Sequence, residues 1–414
     1  MPRQCTPGCG SDAPRRGINH LAVHSAWIYA RRVHMRRTLI LLAAGLVLAG
    51  PFALGYRLSE GSRATTPVAV SSLVDEVRNA LAARYYRPVP PAVLKLGSVD
   101  EIISALGDPY TAYLAPPDYK LVRQETASSY TGIGLSVLPS AHGFAVVALR
   151  PGPAQRAGIR VGDTIVRIGG ASTRNQSMSY ALSRILGPRG TTVHLELTRG
   201  GHRLDLRIRR EVIKTPSVHA RLLSYAGRRW GHVRLSSFRV GAALVLGREL
   251  RKLERHGAQG FVLDLRQNPG GLLDQAVAIS SLFLDRGVVV SLVGKHEPHE
   301  VYRAVGGVAT RLPVVVLVDR YSASSAEIVA AALRDHHRAT VVGERTFGKA
   351  LVQSIDPLDN GAALELTIAR YYTPSGADIS NVGVAPQIRA HDDRRTAADE
   401  ALATALKVLA RPAS

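Results

Sequence analysis

The stretch PVVVLVDRYSASSAEIVAAALRD, residues 313–335, changes character at one point. Pro313–Val318 is an unbroken apolar run, the pattern of a strand covered on both faces, and Ala326–Asp335 has helical spacing. Asp319 to Ser325 must turn the chain from one to the other. A strand covered on both faces implies a mainly parallel α/β layer, and such layers place ligands at the carboxyl ends of their strands. Ser324 lies at that end. It also lies at the positive end of a helix dipole, which favours a developing oxyanion. Glu327 stands three residues on, so Ser324 also fits a capping box, and on spacing alone a structural cap is the default reading.

The alternation extends outward. Phe261–Leu265 is a second apolar strand, followed by Gln267-Asn268-Pro269-Gly270-Gly271 and a helix over Leu272–Leu284. Thr340–Val342 and residues 363–372 are further strands, and Thr396–Leu409 is a closing helix. Gly270 and Gly271, directly after a strand, expose backbone N–H groups suited to an oxyanion. Gly343–Lys349 (GERTFGK) places a lysine in a glycine-flanked, apolar setting. The chain has 53 Lys plus Arg, mostly Arg. Arginine cannot give up its proton, whereas a desolvated lysine can and then serves as a base. Gln353, four residues on, is spaced to orient that amine.

Upstream the organisation differs. A helical pattern begins at Ser71, a second helix covers Val99–Leu106, and Gly107–Leu114 (GDPYTAYL) reads as a turn. Short β-like runs follow at Gly132–Leu138, Phe144–Leu149, Thr164–Ile168, Thr192–Thr198 and Asp205–Ile208, with a helix at Ser179–Leu186. They make a small barrel-like module. Within it, residues 151–170 (PGPAQRAGIRVGDTIVRIGG), with Tyr130–Leu135 before them, resemble a PDZ domain. The glycines around Gly132, Ile133, Gly134 and Leu135 let successive N–H groups converge on a peptide carboxylate, and the next strand offers an edge for an extended peptide.

Taken together, the motifs resemble the C-terminal processing peptidases (tail-specific proteases) of serine peptidase family S41. They are D-L-R-x-N-P-G-G at Asp264–Gly271, S-A-S-x-x-E-I at Ser322–Ile328, G-x-x-T-F-G-K at Gly343–Lys349, Tyr371–Gly376 and Gly107–Leu114. The resemblance implies a multidomain α/β protein with an N-terminal helical segment (70–126), a PDZ domain (127–213) and an α/β ClpP/crotonase-like spiral catalytic core (214–391). A C-terminal helix and tail (392–414) follow. The family's spacing of serine and lysine pairs Ser324 with Lys349, and Asp335 matches a supporting position. The implied chemistry is acyl transfer with Ser324 as nucleophile and Lys349 as base. Gln353 assists, Gly270 or Gly271 and Ser325 supply oxyanion N–H groups, and no metal or cofactor takes part. This chain has Ser325-Ala326 where the family commonly has Ala-Ser. The implied partners are protein or peptide substrates with exposed C-termini, and an adaptor or a second copy.

Composition narrows the rest. A formal charge of +21 without a Lys/Arg block gives no nucleic-acid footprint. Cys5 and Cys9 are the only cysteines, which leaves the folded part without disulfides. Arg36-Arg37 precedes the apolar stretch Thr38–Tyr56, so residues 35–58 read as a signal anchor and 59–69 as a linker. That expectation puts the catalytic part in the periplasm or another extracytoplasmic space, held to the inner membrane. Met35 suits a translation start, which makes residues 1–34 a non-structural extension. His296-Glu297-Pro298-His299-Glu300 lacks the spacing of a zinc peptidase, and Pro298 would break the helix needed. The alternatives are an inactive PDZ adaptor on a protease-like scaffold and a crotonase-type enzyme. The latter leaves the lysine and the PDZ run unexplained.

Overall fold

The computed structural model describes residues 72–411 apart from 296–298 and 394. The expected extension, signal anchor and linker lie outside these, as does most of the HEPHE stretch. Among the described residues no helix is long and apolar enough to cross a membrane.

The first segment holds α1 (Leu73–Arg84), α2 (Pro91–Leu94) and α3 (Val99–Leu106). Ser72 and Ser98 cap α1 and α3 by accepting from the N–H groups of Asp75 and Glu101, and Gly107, in the left-handed region, ends α3. The GDPYTAYL stretch is a turn only as far as Thr111, because Ala112–Leu114 forms β1. Helix α4 (Pro116–Thr126), with prolines in its first turn where no N–H is needed, was not legible as a helix.

The middle module comprises β2 (Ser129–Gly132), β3 (Leu135–Ser140), β4 (Gly143–Leu149), α5 (Pro153–Arg156), β5 (Thr164–Ile168) and β6 (Ala171–Ser172). It continues with α6 (Met178–Ile185), β7 (Thr192–Arg199), β8 (His202–Arg209) and β9 (Glu211–Lys214). Its sheet runs β3-β4-β5-β7-β8, with β6 on β5 and β2 paired to β9. The expected single run at Gly132–Leu138 is therefore two strands, because the positive φ of Gly134 (83°) swings the chain out of β2 and into β3. Ile133, Phe144, Val146, Ile165, Leu195 and Leu197 fill a core of its own.

The last part contains β10 (Val218–Tyr225), β11 (Arg228–Leu235), α7 (Ala242–Arg255), β12 (Phe261–Asp264), α8 (Leu273–Ser281), β13 (Val288–Val293) and β14 (Glu300–Arg303). It goes on with β15 (Val314–Val318), α9 (Ser325–Asp335), β16 (Ala339–Gly343), β17 (Leu351–Pro357), β18 (Ala363–Tyr372), β19 (Ile388–Arg389) and α10 (Glu400–Ala410). One sheet has the order β10-β11-β12-β15-β16-β19, parallel throughout except for the β10–β11 hairpin at its edge. Strands β12 and β15 are wholly buried, as their apolar runs require. Val314, Val316 and Val318 face one core, while Val315 and Leu317 face Leu402, Ala405 and Leu406 of α10. A second, antiparallel sheet runs β1-β18-β13-β14, with β17 also on β18. Helix α9 packs against β13 and β16, one strand from each sheet, so Ser325 through Leu333 are all buried.

This layering puts the β15–α9 turn, the segment after β12 and the segment after β16 side by side at the carboxyl ends of three adjacent parallel strands. Gly343 shows how tightly. Its φ is 127°, and a Cβ there would lie 1.9 Å from the Val318 carbonyl oxygen. Gly343→Ala is expected to cost about 3 kcal/mol or more, because β15 and β16 would have to part. Urea unfolding should show a lower midpoint at unchanged slope.

Candidate active site

Ser324 is the N-cap of α9, with φ 55° and ψ −119°, a conformation uncommon for a residue with a side chain. The hydroxyl does not serve as a helix cap. Ser324 and Glu327 stand in capping-box positions, but the hydrogen bonds run through the Ser324 backbone: the Glu327 N–H donates to the Ser324 carbonyl (2.8 Å) and the Ser324 N–H to Glu327 Oε2 (2.9 Å). The elbow is stitched to the segment after β12. The Ala323 N–H donates to Asn268 O (2.9 Å), the Ser322 hydroxyl to Leu265 O (2.8 Å) and the Gln267 N–H to Asp319 Oδ1 (2.9 Å).

Gly270 lies against the serine, since a Cβ on it would stand 2.8 Å from Ser324 Cβ and 3.0 Å from Ser325 N. Its own N–H donates to Asn268 Oδ1 (2.9 Å), which takes it out of the oxyanion role read from the sequence. The neighbouring donors remain. Among the described residues neither the Gly271 nor the Ser325 N–H has an acceptor. Gly270 and Gly271 are held from behind, where the Phe238 N–H donates to Gly270 O (2.9 Å) and the Leu272 N–H to Phe238 O (2.8 Å). The Ser325 hydroxyl donates to Gly271 O (2.8 Å), so this chain's serine in place of alanine ties the two N–H donors together and leaves the Ser324 hydroxyl alone.

Lys349 is 4 % exposed. Burial pulls its amine down to about 8, against the opposing pull of the Glu365, Asp108 and Glu327 carboxylates. Two buried groups bind the lysine segment to the serine elbow. Glu327 Oε2 accepts the N–H groups of both Ser324 and Lys349 (2.9 Å each), while Oε1 accepts from the Gly348 N–H (2.7 Å) and the Thr346 hydroxyl (2.5 Å). The Tyr371 hydroxyl reaches the carbonyls of both Ser324 (3.3 Å) and Lys349. Burial pushes the Glu327 carboxyl up, and its four donors oppose that.

Gln353, on β17, is fully buried. Its amide nitrogen reaches Thr367 Oγ1 (3.4 Å), and its Oε1 has no hydrogen-bond partner among the described residues. Asp335 lies elsewhere. At about 1.5 Å rise per residue, α9 carries it roughly 16 Å from Ser324. There it accepts from the Ser375 N–H (3.1 Å) and hydroxyl (2.8 Å) and pairs with Arg334, anchoring the turn after β18. Glu344 is paired with Arg320 and His391, and Asp378 with Arg370. No group of His, Cys, Asp or Glu among the described residues is arranged to hold a metal ion.

In the middle module, Ile133 is buried and its carbonyl, like that of Gly134, is used internally (by Ala154 N–H, 2.8 Å, and Arg150 N–H, 2.9 Å). The N–H groups of Ile133 and Gly134 have no acceptor among the described residues. Gly132 closes β2 and Leu135 opens β3, which is an edge strand. The loop thus has free donors beside an open edge.

In the sequence Glu327 reads only as a cap partner, and Tyr371, Asn268 and Asp108 carry no individual role. Their signal was their position inside the quoted motifs. Residues 229–390 match the model of Peptidase family S41, and residues 146–199 match that of a PDZ domain. A carboxyl-terminal-processing protease of Picosynechococcus sp. is 38% identical over 296 residues, covering 70% of this chain and 71% of the relative. The carboxy-terminal processing protease CtpA of Bacillus subtilis is 35% identical over 309 residues, 74% of this chain and 66% of its own. Among solved structures, a photosystem II D1 C-terminal processing protease superposes with a TM-score of 0.52 at 30% identity, over 77% of this chain and 92% of that one.

Glu327→Gln puts an NH₂ group against two of the donors now served by carboxylate. It is expected to cost about 3 kcal/mol of stability, measured by chemical denaturation.

Proposed function

The chain belongs to the carboxyl-terminal processing proteases of peptidase family S41, and from that membership and the site geometry we propose that it cleaves peptide bonds with a Ser324–Lys349 dyad. The carrying observation is the single buried Glu327 carboxylate that holds the backbone N–H groups of both residues. In this reading neutral Lys349 takes the Ser324 hydroxyl proton as Oγ attacks the substrate carbonyl. The N–H groups of Gly271 and Ser325 receive the oxyanion, at the positive end of α9. Lys349 then passes the proton to the leaving amine, and the C–N bond breaks to leave an acyl-Ser324. A water, deprotonated by Lys349, hydrolyses the ester. The buried Gln353 Oε1 is the acceptor that orients the amine between these transfers.

The substrate end is a protein tail. Its terminal carboxylate docks on the Ile133 and Gly134 N–H groups between Gly132 and Leu135, and its last residues add a strand to β3. We read the apolar residues 38–56, which lie outside the described part, with Arg36-Arg37 before them, as a signal anchor, and on that reading propose that the catalytic part works in the cell envelope on the outer face of the inner membrane.

Ser324→Ala and Lys349→Ala should each lower kcat for an unstructured C-terminal tail by about 10⁴-fold or more. Lys349→Arg should be as inactive, since arginine keeps its proton. Because only the neutral amine is a base, kcat/KM should rise with pH through about 8. Amidating the substrate's C-terminus should raise KM far more than it lowers kcat. Full activity of Ser324→Ala in a tail-cleavage assay would refute the assignment.

A further inference from the structure

The lysine pocket has a wall that belongs neither to the α/β sheet nor to residues 229–390. Between α3 and β1, ahead of the whole middle module, the chain turns through Gly107-Asp108-Pro109-Tyr110-Thr111. The Lys349 amine stands over the Tyr110 ring, 4.9 Å from its centroid, within the range where an aromatic face attracts an ammonium ion. The turn is anchored on the pocket from two sides. β1 continues directly from it and pairs with β18, opposing Ala112 to Glu365. Asp108, itself 8 % exposed, accepts from the Tyr110 N–H (2.9 Å), the Thr111 hydroxyl (2.8 Å) and the Tyr85 hydroxyl of α1 (3.2 Å).

From the same turn a buried path leads back to the dyad. Thr111 Oγ1 accepts the Thr367 N–H (3.1 Å) and stands 3.3 Å from Thr367 Oγ1, which in turn accepts from the Gln353 amide nitrogen (3.4 Å). With its nitrogen turned to Thr367, Gln353 keeps Oε1 as the end available to an amine. One turn thus touches the base directly and sets the amide beside it.

We propose that the Asp108–Thr111 turn is part of the peptidase site, with Tyr110 as a positioning residue whose ring carries Lys349 in its ammonium form between the two proton transfers. Asp108 holds that ring in place and, through Thr111 and Thr367, fixes the Gln353 amide. The inference rests on the Ser324–Lys349 reading. The charged and titratable groups facing the amine are Asp108 and Tyr110 from this turn, Glu327 from α9 and Glu365 from β18. The ring and the carboxylates all favour the protonated amine, so removing one of them lowers the amine's proton affinity. The ascending limb of kcat/KM then moves to lower pH, and the weaker base lowers the plateau.

The experiment compares pH profiles of tail cleavage for the full chain and its Tyr110→Phe, Tyr110→Leu and Asp108→Asn variants. It also titrates Lys349 directly, in the Ser324→Ala background, from the pH dependence of its acetylation read by peptide mass spectrometry. Tyr110→Phe keeps the ring and should leave limb and titration where they are. Tyr110→Leu should move both down by about 0.4–1.5 pH units. Asp108→Asn should move both in the same direction. If Tyr110→Leu folds poorly, Asp108→Asn read against Tyr110→Phe decides. The proposal is overturned if Lys349 titrates alike in all variants, or if activity falls by the same factor at every pH, as a purely structural turn would give. Failure of the underlying dyad reading looks different: cleavage would survive Lys349→Ala, whatever Tyr110 does.

Discussion

A carboxylate with no exposure to solvent is costly unless each lone pair finds a donor, and Glu327 meets that demand with groups from the two segments that must meet. Its oxygens accept from the Ser324 N–H on one side and from Thr346, Gly348 and Lys349 on the other. The serine elbow and the lysine segment therefore cannot separate without stranding a buried charge. Tyr371 repeats the bridge on the carbonyl side. The rest of the active site is arranged around that carboxylate.

The positive φ of Ser324 follows from this constraint. A non-glycine residue in such a conformation costs on the order of 1–3 kcal/mol and persists only when its surroundings over-determine it. Here they do: Asn268 holds Ala323, Leu265 holds Ser322, Glu327 holds the Ser324 N–H, and Gly270 leaves no room for the elbow to relax. Because its hydroxyl is not spent on capping, the serine is available for chemistry. The same packing sorts the two glycines, turning the N–H of Gly270 inward to Asn268 and leaving that of Gly271 as the donor.

Much of this was legible in the sequence. The runs at Phe261–Leu265 and Pro313–Val318 read as doubly buried strands because apolar residues stand on both faces, with Asp264 the one polar residue among them, and both strands are buried. The middle module was readable from its glycine punctuation. The antiparallel second sheet was not, apart from residues 363–372, since β14 and β17 mix polar and apolar residues as half-buried strands do. Helices α4 and α7 were not legible either, the first because prolines open it. Asp335, which matches a supporting position by motif, lies at the far end of α9, and that it secures the turn after β18 is visible only in the fold.

By itself the sequence determined the residue types and their local geometry: a serine at a strand-to-helix turn, paired glycines after a strand, a lysine in a glycine-flanked apolar setting, and a glycine loop ahead of a strand. Those features depend on neighbours within a few positions, and periodicity and turn chemistry are local. Which groups meet was decided only by the tertiary structure. Glu327 reaching both halves of the dyad, Gly270 turning its N–H inward, and Tyr110 arriving beneath Lys349 from 239 positions upstream all depend on strand order and on the burial of α9 between two sheets. No local pattern encodes those contacts, because they form only when distant segments must satisfy the same buried charge.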